Sequence, residues 1–475
     1  MTTPLHDAVV VGSGPNGLAA AITLARAGRS VLVLERAPTV GGGTRSAELT
    51  LPGFVHDVCS AIHPMGIASP FFRGLPGGLV DRLWVQPDAP LAHPFDDGDA
   101  AILERSVTAT AARLGPDGRA WERMFTPLVE DAERLLPAIL RPIRLPRHPL
   151  AMARFGLQAL RSCRGLVEAR FEGRNARALL AGSAAHGCVA LELAGTASIG
   201  LALTLTGHAV GWPCARGGSQ AIADALAEHL RGLGGAIETG RPVRSLADLP
   251  PHRAVLFDLT PRQVLAIAGD RLPRRYRRAL GRFRYGPGIF KLDWALAGPI
   301  PWRNPECARA ATVHVGGSFE EIAAGEAQAW NGEVPERPFV LVTQQSLFDP
   351  TRAPAGRHTG WAYCHVPNGS TLDMTDRVEA QIERFAPGFR DLVLARSTRN
   401  TEEVERDNPN MVGGDIGGGA NHLRQFLARP AARWNPYSIP GTPFYLCSSS
   451  TPPGGGVHGM SGFLAAGAAL RGALR

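Results

Sequence analysis

Residues 7–36 constrain the fold more than any other part of the chain. They read DAVVVGSGPNGLAAAITLARAGRSVLVLER, which divides into strand, glycine turn, helix and strand. Ala8–Val11 is a short, unbroken apolar run, the pattern of a parallel strand buried on both faces. Leu18, Ala21, Ile22, Leu24 and Ala25 recur at helical spacing, and Gly28 stands where a helix C-cap favours glycine. Ser30–Leu34 forms the second strand. A βαβ unit with its crossover in place calls for a parallel sheet with helices on its faces, an α/β fold.

The turn inside this unit is G-x-G-x-x-G, with Gly12, Gly14 and Gly17 as its glycines and Ser13, Pro15 and Asn16 between them. Such glycines let the turn close, let backbone N–H groups approach a pyrophosphate, and let the helix pack on the sheet. Glu35 ends the second strand, where a carboxylate accepts both ribose hydroxyls of an adenosine and disfavours a 2′-phosphate. After Glu35 and Arg36 comes a second flexible run, Gly41, Gly42, Gly43 and Thr44. A nicotinamide dehydrogenase has no use for it, whereas a longer dinucleotide needs backbone close to its far end, so FAD is the expected cofactor. Near the C-terminus, Thr451–Ser461 is a glycine-rich turn opening a helix at about Gly459. Its N–H groups suit flavin O2 and the negative charge of a reduced ring.

Composition sets outer limits. The chain has 475 residues, 44% hydrophobic and 19% charged, enough for a large core and for two or three domains, or one with a second woven through it. Net charge is +8, but Lys291 is the only lysine, so the excess is arginine and, with 56 Gly and 39 Pro, reads as coding bias. No basic run carries interleaved aromatics, which argues against nucleic acid. The densest basic cluster, Arg271–Arg284, reads as a solvated helix face. The seven cysteines are scattered and never spaced C-x-x-C, which favours a reducing compartment and excludes a redox pair beside the flavin. No export signal is legible, so a cytoplasmic protein is expected, with contact at the inner membrane face left open. Leu193–Trp212 lacks formal charge over a bilayer-spanning length, yet its glycines and threonines suit a core helix turning near Gly207.

Along the chain, Pro76–Ala190 carries amphipathic helical patterns broken by prolines and reads as an inserted helical region. Trp212–Leu246 is a glycine turn, a helix over Gln220–Leu230 and a strand around Arg241–Leu246. Ala254–Leu259 is a further buried strand. Strand patterns dominate Arg271–Pro409, with Phe339–Thr343 and Thr359–Val366 the clearest, plus a helix over Thr375–Phe385. The expected organisation is an FAD-binding domain in three parts (1–75, 206–270 and 410–475) with a substrate domain in two (76–205, helical; 271–409, a sheet).

Three separated segments, GSGPNG with Glu35-Arg36 and Gly41-Gly42, GHAVGWPCARGGSQAIADAL, and TPPGGGVHGMSGFLAAGAAL, occur in an order that resembles the phytoene desaturase (carotenoid dehydrogenase)-like flavoproteins. Within them the chain is similar to the pyridine nucleotide-disulfide oxidoreductase domain-containing protein 2-like branch. The resemblance implies a Rossmann-like, amine-oxidase-like FAD domain with an inserted α+β substrate domain. It implies that Gly12, Gly14 and Gly17 hold the pyrophosphate and Glu35 the ribose. Val243 would meet the adenine through its backbone, and Gly455, Gly456, Val457 and Met460 the flavin ring. Two departures stand out. Many relatives place arginine directly after the Gly-Gly pair, where this chain has Gly43, and His458 stands where carotenoid desaturases often have proline.

With a single G-x-G-x-x-G unit there is no separate NAD(P) domain, so oxygen or a quinone is the expected electron acceptor. A substrate base would come from His63 or His458. Asp57 reads as a cap or ion-pair partner, and His365 and Lys291 as structural residues in strand-like sequence. The expected reaction is dehydrogenation (or isomerisation) of a lipophilic or natural-product substrate, as in carotenoid or secondary-metabolite biosynthesis. Alternatives are amine-oxidase-like C–N oxidation and an FAD-binding partner or regulatory protein without turnover. A homo-oligomer is left open.

Overall fold

A computed structural model describes residues 5–475. In chain order, strands β1 (His6–Val11), β2 (Val31–Leu34), β3 (Ala89–Pro94), β4 (Ala100–Leu103), β5 (Ala236–Glu238), β6 (His252–Phe257), β7 (Gly288–Leu296), β8 (Ala310–Val315), β9 (Val340–Thr343), β10 (His358–Val366), β11 (Val393–Arg399) and β12 (Phe444–Leu446) build two main sheets. Helices α1 (Pro15–Arg26), α2 (Arg174–Ala185), α3 (Ala197–Ala209), α4 (Gln220–Gly232), α5 (Phe319–Asn331) and α6 (Met460–Leu470) pack around them.

The first sheet is wholly parallel, in the order β12-β6-β1-β2-β5. Its central strand explains the unbroken apolar run. Ala8 and Val10 enter the core under α1 and α6, while Val9 and Val11 face the other way, onto Val264 and Tyr276 of two helices on the opposite side. α6 lies directly against α1: a Cβ at Gly462 would sit 1.8 Å from the Asn16 carbonyl oxygen, so only glycine fits this crossing. The second sheet runs β11-β7-β10-β9-β8-β3-β4 and is antiparallel except for the β3–β8 pair. The result is the expected α/β architecture, a Rossmann-like sheet beside a multi-stranded second sheet.

Several local expectations need correction. The stretch read as helical contains β3 and β4, which enter the second sheet as fully buried strands. Short buried apolar runs carry no period that separates strand from helix. The strand expected around Arg241–Leu246 lies earlier, at Ala236–Glu238. Pro242 ends any ladder there, and the Gly240 and Arg241 N–H groups instead donate to the Ala37 and Glu35 carbonyls. The turn placed near Gly207 comes at Gly211 (φ +90°); Gly207 is helical and packs on Leu103 and Pro90. Among the described residues no helix is long and apolar enough to cross a membrane. In the basic cluster, the Arg274–Gly281 helix buries Tyr276 and Leu280 and leaves its arginines in solvent.

Candidate cofactor and substrate site

The glycine turn leaves β1 at Val11 and enters α1 at Pro15. Gly12 takes φ +101°, and its N–H donates to the Leu34 carbonyl (2.8 Å), closing the turn onto β2. A Cβ at Gly17 would lie 2.1 Å from the Gly12 oxygen, and one at Gly14 2.7 Å from an Asp258 carboxylate oxygen. The turn therefore admits no side chain at either position, and Gly14, the N-cap of α1, has no side chain of its own to cap the helix. Glu35 accepts from the Ser13 N–H (2.8 Å), the Ser13 hydroxyl (2.6 Å) and the Ala37 N–H (2.7 Å). The second glycine run folds onto the first. Gly41 and Gly42 have φ +120° and +55°, the Gly41 N–H donates to the Ser13 carbonyl, and a Cβ at Gly42 would stand 3.1 Å from Gly14 Cα. Thr44 is buried and donates its hydroxyl to the Gly41 carbonyl (2.7 Å), pinning this second turn.

These turns open onto one cavity of about 1500 Å³. That exceeds the ~300–1,000 Å³ typical of a single small-ligand pocket. Of the sequence-predicted residues, Gly12, Ser13, Gly14, Pro15 and Asn16 line its near end, with Glu35, Arg36, Gly42, Gly43 and Val243. Gly455, Gly456, Val457, His63 and His458 line its middle. Gly17, Gly41, Thr44 and Met460 lie behind the wall, where they shape the turns without facing the cavity. Val243 sits in irregular backbone past β5, not in a strand. Elsewhere the same cavity has an apolar chamber, walled by Leu140, Phe155, Ile199, Leu203, Trp212 and Tyr363. Its mouth carries exposed apolar side chains, Leu145 (93% exposed) and Trp434 (81%) foremost, interleaved with Arg141, Arg144, Arg147 and Arg433.

The two candidate histidines differ in what they have left to offer. His458 Nδ1 accepts the Met460 N–H (3.0 Å), so the proton sits on Nε2 and donates to the Gly454 carbonyl (3.2 Å). Both nitrogens are engaged in shaping the start of α6, and burial lowers the pKa to about 4. His63 Nε2 meets the Ser219 hydroxyl at 2.9 Å, and that hydroxyl donates to the Ser60 carbonyl (2.6 Å). Nε2 is therefore the protonated nitrogen, and His63 Nδ1 is left without a partner. Burial holds this histidine neutral as well, with a pKa of about 4.

Two features escaped the sequence reading, and a third, Lys291, was read there as structural. Asp258, which follows β6, places its carboxylate on the Gly17 N–H (2.9 Å) at the opening of α1. Burial pushes its carboxyl up to about 7, with the Glu35 charge adding to the effect and the Gly17 and Gly14 N–H groups opposing it. Asp415 gathers the N–H groups of Gly286, Gly417 and Gly419, so a third glycine run, Gly417–Gly419, lines the cavity. Lys291 is fully buried against Asp293 and lies 5.3 Å from the Trp361 ring, which does line the cavity. Burial brings its pKa down to about 8 despite Asp293. The signal was available: one lysine kept in a chain that otherwise uses arginine.

Residues 10–74 match the model of the NAD(P)-binding Rossmann-like domain family. Pyridine nucleotide-disulfide oxidoreductase domain-containing protein 2 of Rattus norvegicus is 26% identical over 97% of this chain and 92% of its own length. A phytoene dehydrogenase of Streptomyces griseus is 27% identical over 83% of this chain and 79% of its own. Among solved structures, the cyclohexylamine oxidase of Brevibacterium oxydans shares the fold at a TM-score of 0.60 and 15% identity, over 99% of this chain and 100% of that one. Together these similarities support an oxidoreductase built on a Rossmann-like dinucleotide-binding domain.

Proposed function

We propose that this protein is an FAD-dependent oxidoreductase that dehydrogenates a lipophilic substrate at a carbon–carbon bond. The observation that carries this reading is the continuity of one cavity, from the glycine turn at the start of α1, past Gly455–Val457, into an apolar chamber with an apolar, arginine-rimmed mouth. The near end suits FAD because the bare glycine turn, Gly12 and Gly14, lines the cavity where α1 begins, and no side chain fits at Gly14 or Gly17 without disrupting that turn. FAD when bound supplies a hydride acceptor at flavin N5. Gly12 and Gly14 would hold its pyrophosphate, with Gly17 shaping the turn behind them, Glu35 the ribose hydroxyls, the Val243 backbone the adenine, and Gly455–Val457 the ring, with Met460 supporting them from behind the wall.

The chain's own residues then do the rest. The chamber walls desolvate and orient the substrate, and His63, which lines the cavity and keeps a buried, unpartnered Nδ1, is the candidate to take the accompanying proton. His458 serves as a cap, since both its nitrogens are bonded. The arginine-rimmed mouth disfavours an ammonium substrate, which ranks C–N oxidation below C–C dehydrogenation despite the fold shared with an amine oxidase. Exposed apolar groups beside arginines suit contact with an anionic lipid surface, from which a lipophilic substrate would enter. Oxygen or a quinone would collect the electrons directly. The test is an anaerobic titration of the purified yellow protein: bleaching by a polyene or lipid extract supports the reading. Bleaching by amines alone, or a preparation that stays colourless with excess FAD, would overturn it.

A further inference from the structure

From Cys188 on the chamber wall, outside every residue assigned to FAD, a thiol, an imidazole and a carboxylate run inward in series. Cys188 Sγ lies 3.2 Å from His365 Nε2, and His365 Nδ1 lies 2.6 Å from Glu326 Oε1. The three come from separate elements: Cys188 from the turn after α2, His365 from β10 and Glu326 from α5. His365 and Glu326 are buried, whereas Cys188 is part-exposed and lines the cavity. Cys188 is also the only non-glycine residue among those described with positive φ (+52°). Strain of that kind persists where surrounding structure enforces it and concentrates at functional sites.

We propose that Cys188, His365 and Glu326 form a second reactive site, in which a thiolate–imidazolium pair adds to the carbonyl carbon of a lipophilic aldehyde. A nucleophile within hydrogen-bond reach of a base, itself oriented by a third group, is the geometry of nucleophilic catalysis. Glu326 Oε1 fixes Nδ1 as a proton donor and so aims Nε2 at sulfur. Burial opposes charge on His365, but Cys188 and Glu326 outweigh it and hold the imidazolium well above its ordinary range. The other ionisable groups around this trio include Tyr363 and Cys364 on the same strand, His186 beside Cys188 with His314 bonded to it, and Cys59, which acts on Tyr363. None of them supplies a competing positive charge at ordinary pH, since burial lowers the His186 pKa to about 3.

In the addition step the sulfur lone pair forms a C–S bond, the C=O π pair moves onto oxygen, and that oxygen takes the Nε2 proton of His365. The product is a neutral thiohemiacetal beside a neutral imidazole, and no oxidant is consumed. The proton donor sits beside the sulfur, within reach of an oxygen on the attacked carbon itself. In a conjugate addition that oxygen would be two atoms further away, which is why an aldehyde fits better than an unsaturated ketone. The apolar chamber selects a long hydrocarbon chain on the aldehyde.

The site needs no flavin, so its test is separable from that of the oxidoreductase reading. Limited alkylation with iodoacetamide at neutral pH, followed by peptide mapping, compares Cys188 with Cys59, the other part-exposed cysteine. Cys188 is expected to react at least about tenfold faster, since an ordinary thiol is only a few per cent thiolate at that pH and burial pushes the Cys59 thiol up further. His365→Gln should slow Cys188 about tenfold relative to the wild type, and Glu326→Gln should slow it in the same direction by leaving Nδ1 without its acceptor. Equal rates for the two cysteines in the wild type, or no effect of His365→Gln, overturn the ion pair. Decanal labelled with ¹³C at the carbonyl should then give a tetrahedral carbon resonance that Cys188→Ala abolishes. Its absence in a protein with a reactive Cys188 overturns the aldehyde assignment, whatever the flavin content.

Discussion

Replacing Asp258 by asparagine tests whether the opening of α1 is an anion site. The side-chain oxygen of asparagine can still accept the Gly17 N–H that the carboxylate accepts at 2.9 Å, but it carries no charge. In the wild type, burial raises this carboxyl from 3.8 to about 7. Between those values the folded state holds a proton that the unfolded state has released. Stability therefore falls as pH rises through this window and levels off above it. At about 1.36 kcal/mol per pKa unit, the decline between about pH 5 and about pH 7 amounts to about 3 kcal/mol. Urea unfolding of the flavin-free protein should show Asp258→Asn gaining about 3 kcal/mol on the wild type between about pH 5 and about pH 8. Bound pyrophosphate would repel the ionised form at the same helix terminus. FAD affinity of the wild type should then weaken about tenfold per pH unit above about pH 7, and that of Asp258→Asn should not. A stability difference equal at both pH values would refute the reasoning, because it would mean that Asp258 does not change protonation on folding.

Glu35→Ala removes the expected ribose acceptor and should weaken FAD binding about ten- to hundredfold, read by quenching of flavin fluorescence; unchanged affinity would exclude Glu35 from the ribose. His63→Ala should slow anaerobic flavin reduction by about 10²-fold or more. His458→Ala should instead cost about 1 kcal/mol of stability, as loss of a helix cap does, and leave reduction near the wild-type rate. Arg352→Met should cost about 3–5 kcal/mol in urea unfolding, since it strands the buried Asp57 carboxylate 2.7 Å away, and adding Asp57→Asn should recover much of that. Leu145→Asp at the mouth should weaken sedimentation with anionic vesicles while leaving flavin binding intact; equal sedimentation would remove the lipid-facing role.

What the sequence made legible was local. The βαβ unit at the start could be read because glycine spacing, helical period and strand composition all fall within one short segment, and β1, α1 and β2 form where those signals lie. The helix over Thr375–Phe385 and the strands at Val340–Thr343 and His358–Val366 were legible for the same reason. β3 and β4 were not, because a buried strand such as APLAHP has no polar face to mark its period. The groups around the cavity were hardest to see. Asp258 reaches Gly17 across 241 residues of sequence, and Cys188 reaches His365 across 177. Only the pairing order of the sheets brings them together, and no spacing rule encodes that order. Cys188 looked inert because cysteine was read for pairs, and its partner proved to be a histidine.

The position of His63 illustrates how a candidate base is fixed by charges that never touch substrate. Arg352 Nη2 donates to Asp57 Oδ2 (2.7 Å), and both side chains are fully buried. The other oxygen, Asp57 Oδ1, accepts the Ser219 N–H (2.7 Å) at the start of α4 and the Ser46 hydroxyl (2.7 Å). Burial favours the neutral acid, but Arg352 prevails and holds the Asp57 carboxyl below its ordinary range. The ionised carboxylate thus anchors Ser219, whose hydroxyl is committed to the Ser60 carbonyl and leaves its oxygen to accept from His63 Nε2. That commitment puts the proton on Nε2 and the free lone pair on Nδ1. An imidazole held this way has one basic atom and one orientation, so a guanidinium with no hydrogen bond to His63 helps decide which of its nitrogens carries the proton. A buried ion pair is weak evidence for stability in itself; here its geometry argues for selection of a tautomer.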